Sequence, residues 1–176
     1  MAPGTTIIAG IEVPSVSPLF LAVVGVHVVF GLIAVSTGIV AMSSTKQPGQ
    51  HPRFGTIYFW CLAAIFASAT LLSIMRWAED YHLFILGAFS FGSALVGRTA
   101  RRNHWLGWIR WHITTMGLSY ILLLTAFYAD NSRSLPLWRD LPTITYWLLP
   151  GALGLPIIVY VLLRHPLVAV TQMSCP

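Results

Sequence analysis

Between Ser17 and Met42 the chain carries 26 residues without a lysine, arginine, aspartate or glutamate. A helix of roughly 20 apolar residues crosses a ~30 Å hydrocarbon core, and in that solvent only helices and closed barrels satisfy their own backbone polar groups. At ~1.5 Å per residue the stretch exceeds a perpendicular crossing, so it is expected to tilt or to run beyond the core. Further apolar segments follow at about Thr56–Met75, Tyr81–Val96, Leu106–Ala129 and Ile144–Leu163. The third is barely long enough to cross. SSTKQPGQHPRFG, from Ser43 to Gly55, holds two prolines and two glycines and reads as a loop. GRTARRNH reads as another, and Pro136 and Pro142 mark the last. Pro150 and Pro156 fall inside the fifth segment, where each removes a helical hydrogen bond, so a kink or break is expected. The expected fold is all-α, a polytopic transmembrane helical bundle of about five spans forming one integral membrane domain over residues 1–176.

The chain is 56% hydrophobic and 9% charged, with a mean hydropathy of +0.75, which leaves no room for a sizeable water-soluble module. A net charge of +5 would suggest nucleic acid in a soluble protein, but here the basic residues fall into short loops and act as topology signals. No nucleic-acid partner is expected. Cys61 and Cys175 have no metal-ligand spacing and are read as free thiols. The N-terminal lead lacks a basic region and a small-residue cleavage pattern, so the first span is expected to serve as its own insertion signal.

Lys46, Arg53, Arg98, Arg101, Arg102, Arg110 and Arg164 fall on one side of the five-span arrangement, and Arg76, Arg133 and Arg139 on the other, seven against three. Glu12, Glu79, Asp80, Asp130 and Asp140 share the second side, outside the spans. The richer side is cytoplasmic by the positive-inside rule, giving an N-out, C-in chain. Aromatic residues mark both boundaries: Tyr58, Trp60, Trp105, Trp108 and Trp111 inside, and Trp77, Tyr81, Tyr128, Trp138, Tyr146 and Trp147 outside.

An ionisable side chain within a span is costly and a functional candidate by default. His27 and His112 qualify. His27 shares a helical face with Gly31, Ala34 and Gly38, whose small side chains clear space for a flat cofactor or a neighbouring helix. His112 shares one with Trp108, Met116 and Ser119. The sharp reading is a b-type haem, or a quinone, held by this pair. Depth weighs against a shared haem: His27 lies ~15 Å below the outer edge and His112 ~9 Å above the inner one, a ~6 Å mismatch in a ~30 Å core. The bland reading makes each a hydrogen-bonded packing residue. His51, His104 and His82 sit at the boundaries, where histidine is cheap. Arg76, Glu79 and Asp80 read as a solvated cluster. Trp105, Trp108, Arg110 and Trp111 read as a lipid-facing interface, with Arg110 meeting anionic headgroups.

The sequence has no phosphate-binding glycine loop, nucleophilic serine motif, HExxH or intramembrane carboxylate pair, which disfavours ordinary enzyme and transporter readings. Small residues are frequent: Gly31, Ala34 and Gly38 in the first span, Ala63, Ala64, Ala67 and Ser68 in the second, Gly87 and Gly92 in the third. They allow close helix packing within the chain or against another membrane protein.

The stretches WLGWIRWHITTMGLSYILLLTAFYADN, LPLW and YWLLPGALGLPIIVYVLLRHPL, with the HxxxG at His27 and the HPRFGTIY around His51, resemble small bacterial polytopic membrane proteins of the domain-of-unknown-function type. The resemblance covers nearly the whole chain and implies a multi-pass protein of the bacterial inner membrane. It brings no activity with it. Chain ends fray unless tied down, and partner chains are expected to hold the 16-residue lead and the polar tail. The functional expectation is therefore a non-catalytic accessory subunit packed against other integral subunits and lipid in a respiratory or photosynthetic assembly. The alternative is a small haem b- or quinone-binding electron-transfer protein.

Overall fold

The computed structural model describes residues 5–8, 11–14, 18–45, 49–131 and 140–164. Among these, five helices are long and apolar enough to cross a membrane: α1 (Pro18–Ser43), α2 (Gln50–Met75), α3 (Trp77–Arg102), α4 (Trp108–Asn131) and α5 (Thr143–Arg164). The fold is thus a transmembrane helical one, as the run of apolar segments requires. A short antiparallel pair precedes it, β1 (Thr5–Ile8) and β2 (Ile11–Pro14), with Ile8 opposite Ile11 and Thr5 opposite Pro14. The pair was not expected, being too short for the alternating pattern that signals a strand. Partner capture of the C-terminal tail concerns residues 165–176, which lie outside the described ones.

Two helix boundaries differ from expectation. Helix α2 starts at Gln50, six residues before the expected start at Thr56, and takes in Pro52 and Gly55. Pro52 lies in the first turn, where a backbone N–H has no intrahelical partner and its loss costs nothing. Helix α3 spans 26 residues, so the third segment is no shorter than the first two. It gains length by absorbing charge at both ends. Glu79 and Asp80 stand in its first turn and Arg101 and Arg102 in its last, where each complements the helix dipole. The acids were expected outside the spans; Glu79, Asp80 and Asp130 lie within helices, all at their ends. Helix α5 runs unbroken through Pro150 and Pro156.

The described residues form two compact units, one up to Phe84 and one from Ile85 onward, and the continuous helix α3 belongs to both. In the first unit α1 packs along α2. Arg76 is the single residue that joins α2 to α3; its amide donates to Leu72 O and its carbonyl accepts from the amides of Glu79 and Asp80. Ser73 Oγ donates to Asp80 O at 3.2 Å and Phe66 stacks on Phe84, closing the bend. The Arg76 guanidinium lies over the Phe20 ring and pairs with Glu79.

In the second unit α4 packs along α5, and α3 meets α4 at Ser90 and Gly97. Ser73 and Ser90 donate across to a neighbouring helix, while other hydroxyls inside these apolar helices direct their protons to their own helix. Thr37 donates to Ile33 O, Thr115 to Trp111 O, Ser119 to Met116 O and Thr125 to Ile121 O. That is how a hydroxyl is carried in hydrocarbon without leaving an unsatisfied donor.

Candidate functional site

Three histidines reach across to a neighbouring helix, each through Nδ1. His27 on α1 contacts Ser68 Oγ on α2 at 2.9 Å. Ser68 Oγ also lies within reach of Ala64 O and Ile65 O on its own helix, so which partner donates in the His27–Ser68 bond follows the His27 tautomer. His51, in the first turn of α2, donates Nδ1–H to Ala41 O at 2.8 Å. Ala41 is two residues from the end of α1, where the last carbonyls have no helical partner, so His51 caps that helix. His112, in the first turns of α4, donates Nδ1–H to Gly97 O on α3 at 3.0 Å. A carbonyl only accepts, which fixes the proton on Nδ1. The boundary placement of His51 concealed its role, because a capping bond depends on where the neighbouring helix stops.

The small-residue face shared by His27 is the buried one: Ala34, Thr37, Gly38 and Ala41 are buried along α1. Not all of the candidate packing glycines meet a neighbour. A Cβ added at Gly31 or Gly92 would find no heavy atom within 4 Å. The close approaches lie at glycines the sequence reading passed over. At Gly97 a Cβ would come 2.5 Å from Thr115 Oγ1 and 3.0 Å from Met116 Cγ. At Gly117 it would come 2.7 Å from Ile158, and at Gly154 it would run into Ile121. The legible signal was a glycine four residues before an isoleucine on both α4 and α5, Gly117 with Ile121 and Gly154 with Ile158. Gly87 is half-buried.

The second cluster is the turn from α3 to α4. His104 has φ 48° and Gly107 φ 69°, both in the left-handed region. The Trp105 amide donates back to Ala100 O at 3.1 Å, closing a left-handed cap on α3, and the Trp108 amide donates to Trp105 O at 2.8 Å. Trp105 packs edge-on against Trp111, and His104 against Trp108. Arg101, Arg102, Trp105, Arg110 and Trp111 are exposed, while Trp108 is half-buried. Two of the expected boundary aromatics, Tyr58 and Tyr146, are instead buried, and Tyr146 Oη donates to Leu141 O.

Among the described residues no group of three or more His, Cys, Asp or Glu gathers where it would hold a metal ion. His27 belongs to the first unit and His112 to the second. No family model, curated protein or solved structure matches the chain.

Proposed function

We propose that the chain is a non-catalytic accessory subunit of a larger bacterial inner-membrane complex, of the respiratory or photosynthetic electron-transfer kind, lying N-out and C-in. It would belong with the small bacterial membrane proteins that its sequence resembles. The observation that carries this reading is how the span histidines are used. His27, His51 and His112 each join one helix to the next, which is the work of a packing element. The outer faces of α1 and α5 supply the matching surface, with Val28, Val29, Leu32, Leu153, Ile157 and Val159 exposed for lipid or another subunit. The test is to isolate the tagged protein from its native membrane in mild detergent, identify the co-purifying chains by mass spectrometry and record an absorption spectrum. Recovery within a stoichiometric complex is expected; recovery of the protein alone overturns the accessory role.

One observation favours a second reading, a haem- or quinone-binding electron-transfer protein. His112 donates Nδ1–H to Gly97 O, the kind of bond that orients metal-ligating histidines through one ring nitrogen. A haem band in the purified protein, lost in His27→Ala or His112→Ala, would favour this reading over the first. A colourless preparation removes its haem version.

A further inference from the structure

Leu106, at the tip of the α3–α4 turn, is 96% exposed, and Trp105 and Trp111 beside it are exposed at 41% and 50%. A flexible loop would fold such a side chain away, but this turn is pinned by two backbone bonds and two edge-on ring contacts. The leucine is therefore held outward. The 13 residues from Arg98 to Arg110, which include Leu106, hold four arginines: Arg98, Arg101, Arg102 and Arg110. The first three sit at i, i+3 and i+4 spacing, on one face of the last turns of α3. From Tyr81 to Ala129 the chain has no acidic residue, and the nearest, Asp80 and Asp130, stand at the opposite ends of α3 and α4.

Charge alone would satisfy the positive-inside rule with arginines anywhere on this side. An outward leucine between two tryptophans asks for more, namely a partner with an apolar region immediately next to an anionic one. Guanidinium groups favour phosphate through paired hydrogen bonds, indole rings favour the glycerol level, and leucine favours acyl chain. A nucleic acid or free phosphate supplies only the anion. We propose that the α3–α4 turn is a preformed site for an anionic phospholipid, with the phosphodiester held by Arg101, Arg102 and Arg110 and with Leu106 and Trp105 set against its glycerol and upper acyl chains. This goes beyond the accessory role and stands without it, since it concerns the bilayer and not a partner subunit.

The probe is phosphatidylglycerol with brominated acyl chains, compared with brominated phosphatidylcholine, each titrated into the full chain in neutral-detergent micelles while tryptophan fluorescence is read. Phosphatidylglycerol is expected to quench at a lower mole fraction. Each arginine near an anionic surface contributes about fivefold in binding, so the Arg101→Gln, Arg102→Gln, Arg110→Gln triple variant should lose about a hundredfold. The corresponding lysine triple variant keeps the charge but not the paired hydrogen bonds and should retain only part of the preference. If the glutamine triple variant does not elute as a folded protein, the single variants Arg101→Gln and Arg110→Gln carry the same test at about fivefold each. Equal quenching by the two lipids, or an unchanged preference in the folded glutamine variants, overturns the site. Displacement of phosphatidylglycerol by excess inorganic phosphate also overturns it, since the turn would then be binding a free anion.

Discussion

Helix α4 is held on two sides by two different kinds of contact. Towards α3, hydrogen bonds join the close approach at Gly97: Ser90 Oγ donates to Ser119 O at 2.7 Å and His112 Nδ1 to Gly97 O. The two bonds lie seven residues apart on both helices, which is two turns of one face in a single antiparallel register. Towards α5 the contact is a matter of shape. Ile158 lies against Gly117 and Ile121 against Gly154, so each helix offers a glycine hollow and, four residues on, an isoleucine to fill the other's. In hydrocarbon, burial of a leucine gains little, because lipid tails are as apolar as the side chain; close approach and hydrogen bonds remain as the means of association. The α3 side adds direction to its one close approach at Gly97, and the α4–α5 side uses size alone. The two should fail differently.

The largest effect is expected where size matters. Gly117→Leu or Gly154→Leu should cost about 1–3 kcal/mol by overpacking, read as a lower unfolding midpoint in detergent. Pairing Gly117→Leu with Ile158→Ala should recover part of the loss, because the added side chain takes the vacated volume. Additive losses in the double variant would show that Gly117 and Ile158 are not a fitted pair.

The polar side should respond less. Interhelical hydrogen bonds within membranes average ~0.6 kcal/mol and reach ~1.7 kcal/mol. His112→Leu is expected near the upper value, since it strips the partner from Gly97 O and also alters a half-buried volume. Ser90→Ala is expected near the lower one and should leave the α4–α5 contact intact. A Ser90→Ala loss as large as that of Gly117→Leu would dissolve the distinction between the two sides.

The five helices were legible because hydrophobic length is a property of each segment alone. Their ends were less so. Pro52 and Gly55 argued against a helix that begins at Gln50, because a proline's effect depends on which turn it occupies. At the other end of the first unit, Glu79 and Asp80 read with Arg76 as a solvated cluster, and their place in the first turn of α3, where they complement the helix dipole, was not legible. The packing glycines divided for a similar reason. Gly31 and Gly92 are small residues on long apolar helices, yet nothing in the chain approaches them. Gly97, Gly117 and Gly154 differ only in what the partner helix brings opposite, and register is not written in one helix. His27 and His112 were recognisable as unusual, while their partners Ser68 and Gly97 were not.

The smallest effect tests whether backbone geometry, and not side-chain contact, sets the α3–α4 register. His104 sits in the left-handed region, which costs a non-glycine residue ~1 kcal/mol or more. Replacing it by glycine relieves that cost, loses the edge-on contact with Trp108 and frees the unfolded chain. The terms nearly cancel, leaving an expected gain of about 0.5 kcal/mol, visible as a small rise in the unfolding midpoint of His104→Gly. A gain would mean that the left-handed cap at His104, together with Trp105 and Gly107, fixes the turn, and that Ser90 and His112 bond in a register already chosen. A loss would make the His104–Trp108 contact part of the polar side itself, and α4 would then be joined to α3 by side chains from the turn inward.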